Sequence, residues 1–119
     1  MDSVQRATRP VATTIITRIE ALRGRFDSVV KAADGALLLR AVQLLVQTEN
    51  ALQPLPILTI DSNAAAIFDR LRQDKKLKKV GHADLLIACI VLANSATLVT
   101  RNLKDFRQVP GLTCVNWAD

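Results

Sequence analysis

Aromatic residues are almost missing from this chain of 119 residues: three phenylalanines, one tryptophan and no tyrosine make up 3% of it. Half of the residues are hydrophobic, so the core has to be built from Leu, Ile, Val and Ala. Cysteine is scarce as well. Cys89 and Cys114 form no C-x-x-C pair and are expected as buried free thiols of a cytosolic protein. No apolar run reaches membrane-spanning length, and the opening residues Met1–Pro10 are polar. Neither a membrane span nor a signal peptide is therefore expected, and a cytoplasmic location is. The chain also lacks a Gly-rich phosphate loop, a nucleophile elbow and a Ser/His pair, which disfavours the common small-molecule α/β enzymes.

What is present organises itself around Gly81–Phe106. A polar turn leads into a predicted helix that is apolar on every side (Leu85, Leu86, Ile87, Cys89, Ile90, Val91, Leu92), and a helix without a polar face must be buried. The chain turns at Asn94-Ser95, continues as a short strand over Ala96–Val99, and reaches Thr100-Arg101-Asn102 and then Asp105 on a polar turn. In an αβ unit the helix runs antiparallel to the strand that follows it, so Asp84 and Asp105 can meet at one sheet edge. Ligands of open α/β sheets bind at the carboxyl ends of strands, which makes two carboxylates there a plausible cation site. Taken alone, either acid equally suits a capping or dipole role in a first helical turn.

Ahead of this stretch, Pro10 argues against a helix through the first ten residues, and the β-branched run Val11–Thr17 is predicted as a strand. A helix is expected from about Arg18, with Ile19, Leu22, Phe26, Val29 and Val30 at helical spacing and Glu20 in its first turn. Asp34–Gln53 is a second helix, capped by Asp34, with an apolar stripe of Leu37, Leu38, Ala41, Leu44, Leu45 and Leu52. Pro54 and Pro56 end it. Ile57–Ile60 is then a short strand, and Asp61 caps a helix running through Leu71. Trp117 closes the last strand and is expected to pack.

The charge balance is basic: 16 Lys and Arg against 11 Asp and Glu, a formal net charge of +5. Such a balance favours polyanionic partners. Lys75, Lys76, Lys78 and Lys79 gather just before the Asp84 helix. They are either a solvated loop or a means of restoring attraction for phosphate beside acidic groups that repel it. No RNA-stacking aromatic is nearby, so sequence-specific recognition of single strands by stacking is not expected. His82, the only histidine, is expected to be structural.

The segments G-x-x-D-L-x-I-A (Gly81, Asp84, Leu85, Ile87, Ala88), T-x-N-x-x-D-F (Thr100, Asn102, Asp105, Phe106) and V-P-G-L (Val109–Leu112) follow one another in this order. Together they resemble the C-terminal signature of the PIN-domain nucleases, the VapC toxin branch in particular. Ile16-Thr17, Glu20 and Gly24 resemble that family's I-T strand and E-x-x-x-G helix start. The resemblance spans about Val11 to Trp117 and implies one PIN-like domain over residues 1–119, a parallel sheet flanked by helices. It further implies a magnesium- or manganese-dependent ribonuclease that cuts structured RNA to leave a 5′-phosphate. In that picture Glu20, Asp84 and Asp105 hold the metal, Thr100 and Asn102 orient carboxylates or a water, and the four lysines attract RNA. A VapB-like antitoxin and a second copy of the chain are the implied protein partners, with the first two helices as their contact region.

The sequence departs from the family at one place. The family's opening L-D-T-N or L-D-T-D strand, the following helix and the first catalytic aspartate have no counterpart, and Asp2 is in no strand context. The expectation is that the start lies at an internal methionine of a longer protein. A chain truly beginning at Met1 is expected to bind metal weakly and cut little RNA. The alternative is then a catalytically inactive PIN remnant that binds an antitoxin or RNA.

Overall fold

The computed structural model describes residues 12–100 and 102–116. Residues 1–11, Arg101 and 117–119 lie outside the described residues, and with them the polar lead-in, the start of the expected first strand and the packing of Trp117. The chain divides into two compact units, Met1–Leu58 and Thr59–Asp119.

In the first unit the strand β1 (Thr13–Thr14) runs parallel to β2 (Ile57–Leu58), with Thr13 opposite Ile57 and Thr14 opposite Leu58. Between them, α1 (Ile15–Val30) and α2 (Gly35–Leu52) pack against each other. The expected strand over Val11–Thr17 is thus cut short, and the helix starts at Ile15 rather than Arg18. The reason is a cap: Thr14 is extended, and its Oγ1 accepts the Thr17 backbone N–H at 2.9 Å. That bond satisfies a free amide of the first turn and outweighs the strand preference of Ile15, Ile16 and Thr17. Glu20 consequently lies one turn further along, in the second turn of α1. On α2 the expected cap is present, with Asp34 Oδ1 accepting the Leu37 N–H at 2.8 Å. The apolar stripes of both helices are more open than their periodicity suggests. No residue of α1 is buried, Ala41 is the buried residue of α2, and Phe26, Leu37, Leu38 and Leu39 are exposed.

The second unit is built around α4 (His82–Ala93), whose Leu85, Ile87, Ala88, Cys89, Ile90 and Val91 are buried, as expected for a helix without a polar face. Burial pushes the Cys89 thiol pKa up. The helix α3 (Ser62–Arg72) packs on α4 through Ala64 and Leu71. Its cap is the expected Asp61, whose Oδ1 accepts the Ala64 N–H at 2.8 Å. A turn of 3-10 helix, Lys75–Leu77, joins α3 to α4 and tucks Leu77 into the core, while its lysines stay exposed.

After α4 the chain turns at Ser95, whose φ of 51° is the left-handed conformation. It enters β3 (Thr97–Thr100), passes the single helical turn α5 (Leu103–Phe106) and ends in β4 (Thr113–Asn116). β3 and β4 are parallel, from Thr97 opposite Thr113 to Thr100 opposite Asn116. Gly111, at φ 80°, makes the turn before β4 at a conformation that favours glycine. Phe106 and Val109 are buried. The architecture is α/β with parallel strands, as expected. Among the described residues no helix is long and apolar enough to cross a membrane.

The difference between the two apolar surfaces is measurable by denaturant unfolding. Ile90, at 0% exposure, should cost about 2–5 kcal/mol when replaced by Ala. Leu39, at 63% exposure, should cost no more than about 0.5 kcal/mol on the same replacement. Equal losses at the two positions would contradict the burial pattern.

Candidate functional site

The first turn of α4 is where its burial stops. Gly81 precedes it without a side-chain cap, and Asp84 is its third residue, only partly buried. Because Gly81 has no side chain, one flank of the carboxylate stays open; a Cβ there would stand 3.9 Å from Asp84 Oδ2. From the other side β3 delivers Thr100, whose Oγ1 accepts the backbone N–H of Asn102 at 3.0 Å and so holds the residue that follows the strand. The Asn102 amide Nδ2 donates to Asp84 Oδ2 at 3.2 Å and to Asp105 Oδ2 at 3.1 Å. Asp105 is in the first turn of α5, three residues on from Asn102. The expected polar turn around Asp105 is thus a short helix, which aims the carboxylate back at the asparagine.

Two negative charges therefore share one neutral amide. The Asp84 carboxyl has its pKa raised, first by desolvation and then by the charge of Asp105, against the lowering effect of the Asn102 hydrogen bond. Such a pair favours a positive charge between the carboxylates, and its donors are hard oxygens, the set that magnesium and manganese take. Among the described residues no three His, Cys, Asp or Glu side chains gather into a metal-holding group. Magnesium nevertheless keeps several of its waters and is commonly held by one or two carboxylates, so Asp84 and Asp105 fit it.

Glu20 belongs to the first unit and is exposed on α1. Lys75, Lys76, Lys78 and Lys79 are exposed around the 3-10 turn, where Asp74 Oδ1 accepts the Lys76 backbone N–H at 2.9 Å. Asp61 is a helix cap. His82 meets Phe68 edge to face, with ring centroids 5.7 Å apart and planes at 85°. The Arg72 guanidinium lies over the same Phe68 ring, 5.8 Å from its centroid. The expectation that no aromatic group lies near the lysines is corrected here: Phe68 sits one turn before the end of α3, which leads directly into the lysine turn, and it shares one groove lining with Lys78. The i, i+4 spacing of Phe68 and Arg72 was visible in the sequence. Their neighbourhood was not.

No family model matches the chain. Individual relatives do. The chain is 37% identical over 68 residues to ribonuclease VapC2 of Rickettsia felis, an alignment covering 56% of this chain and 51% of that protein. It thus spans about half the length of that relative. It is 30% identical over 104 residues to ribonuclease VapC1 of Haemophilus influenzae strain R2866, covering 87% of this chain and 72% of that protein. Among solved structures it resembles VapBC2 of Rickettsia felis bound to a DNA fragment from the promoter. There the TM-score is 0.74 at 26% identity, over 97% of this chain and 80% of that one.

The raised Asp84 pKa fixes a pH dependence. The folded state holds the Asp84 proton more tightly than the unfolded chain, whose aspartates titrate near pH 3.9. Stability is therefore lost as pH rises through the window above that value, and it stays lost at neutral pH. Asp84→Asn removes this loss. In chelator, the Asn variant should melt at a higher temperature than the parent at pH 7, with the gain shrinking as pH approaches 4. A lower melting temperature at pH 7 would contradict the electrostatic account of the pair.

Proposed function

The chain belongs to the VapC ribonuclease family, and from that premise we propose that it is a divalent-cation-dependent endoribonuclease, the toxin of a toxin–antitoxin pair. The observation that carries the proposal is the Asn102 amide donating to both Asp84 and Asp105 at the open start of α4. The reaction is hydrolysis of an RNA phosphodiester: water oxygen bonds to phosphorus, the bond from phosphorus to the 3′ oxygen breaks, and a 5′-phosphate and a 3′-hydroxyl result.

Asp84 and Asp105 would hold magnesium or manganese, which when bound supplies charge for the attacking and leaving oxygens. Asn102 keeps the two carboxylates facing one another, and Thr100 holds Asn102 through its backbone N–H. The exposed lysines of the 75–79 loop offset the repulsion between the acidic pair and incoming phosphate. Glu20 enters the proposal on its sequence context alone, as an acid required for cleavage. A cytoplasmic location goes with this function. A VapB-like antitoxin is the proposed protein partner, and the exposed apolar residues of α1 and α2 are the kind of surface such a partner would cover.

The test is cleavage of an end-labelled structured RNA by the protein purified from its host, with and without magnesium. Asp84→Asn and Asp105→Asn should each remove cleavage, and Asn102→Ala should lower it by about 10–100-fold, the range found for groups that orient metal ligands. Glu20→Gln is read in the same assay, and full activity in that variant would drop Glu20 from the machinery. Cleavage that survives in chelator, or in Asp84→Asn, would overturn the proposal. RNA or antitoxin binding without any cleavage would favour a non-catalytic binding protein.

A further inference from the structure

Beside the carboxylate pair, the second unit carries an open groove of about 480 Å³ between the end of α3, the 3-10 turn and the start of α4. Phe68, Arg72, Asp74, Leu77, Lys78 and His82 line it. Its floor is apolar, from buried Leu77 and half-buried Phe68. Its rim is cationic. Arg72 covers Phe68, His82 touches the ring edge-on, and Lys78 is exposed. The one acid of the lining, Asp74, turns its Oδ1 to the Lys76 backbone N–H.

The placement relative to the acids matters. His82 on the groove wall and Asp84 both lie in the first turn of α4. Side chains two apart in a helix point to nearly opposite sides. The groove and the carboxylate pair thus flank one helix terminus, about one helix diameter apart, roughly 10 Å. A chain of phosphodiesters cut at the carboxylates has to continue past this terminus. An aromatic ring carrying a guanidinium on its face is a platform on which an unpaired base stacks, and adjacent cations take the phosphate.

We propose that this groove is an RNA subsite that takes a nucleotide neighbouring the cleaved phosphodiester, with its base on the Phe68–Arg72 platform and its phosphate on Arg72 and Lys78. The inference rests on the ribonuclease function proposed above, and it names the substrate class at a second place: single-stranded RNA beside the cut. An acidic peptide lacks the flat base that the ring would hold.

The test measures binding apart from cleavage. A short fluorescent single-stranded oligoribonucleotide is titrated against the full chain carrying Asp84→Asn, in chelator, over a range of salt concentrations. Arg72→Gln and Lys78→Gln should each weaken binding and flatten the slope of log affinity against log salt by about 0.7, the share of one phosphate contact on a single strand. Phe68→Leu, which keeps an apolar filler in the floor, should weaken binding by about fivefold or more while leaving that slope unchanged. Parental affinity and slope in all three variants would overturn the subsite, as would tighter binding of polyglutamate than of RNA. Since the two glutamines replace exposed side chains, their result stands even if the Phe68 variant folds poorly. RNA that is cut normally by these three variants in the parental background, and bound normally in the Asp84→Asn background, removes the groove and leaves the ribonuclease. RNA bound through the groove but never cut by the parent removes the ribonuclease and leaves the groove.

Discussion

Most of the second unit follows from one requirement, the covering of α4 on every side. A helix this apolar has no surface that water tolerates, so α3 and β3 are drawn against it. The cover ends at Gly81 and His82, which are exposed. Asp84, in the first turn there, is thus a carboxylate carried by the helix that forms the core. A loop could not hold it as firmly against Asp105.

Rigidity is needed because the pair is unfavourable by itself. Asp84 and Asp105 repel one another, and a single amide from Asn102 offsets only part of that repulsion. Strain of this kind survives in a fold only where the surroundings are strong enough to impose it. The side chains of Ile90 and Cys89, fully buried two turns away, provide that strength. The core and the acidic site therefore belong to one energetic unit, the first offsetting what the second costs.

What could be read in the sequence was largely what is decided locally. The caps Asp34 and Asp61 bond an amide three residues on, and the burial of α4 follows from composition over its 12 residues. Parallel strands were legible because short β-branched runs alternate with helices. The first strand was misjudged because two local rules competed at Thr14, and a hydroxyl cap prevailed over β-branched side chains. The stripes of α1 and α2 showed a face but not what covers it, and Phe26, Leu37 and Leu38 prove exposed. Asp84, Asn102 and Asp105 could be picked out in advance. The sharing of one Nδ2 between two carboxylates could not, because it depends on where β3 releases the chain. Phe68 was missed for a similar reason: Arg72 lies one turn along its own helix, but His82 reaches it only through the packing of α3 on α4.

The two cysteines carry a practical consequence of the same burial. Cys89 is 1% exposed and its thiol resists ionisation, whereas Cys114 on β4 is half-buried. The thiolate is the reactive form, so a maleimide or disulfide reagent reaches Cys89 only when α4 is uncovered. Its labelling rate therefore counts openings of the core under native conditions. Cys114 serves in the same molecule as the faster internal reference. The protein thus carries its own pair of chemical clocks, one for the body of the fold and one for its edge.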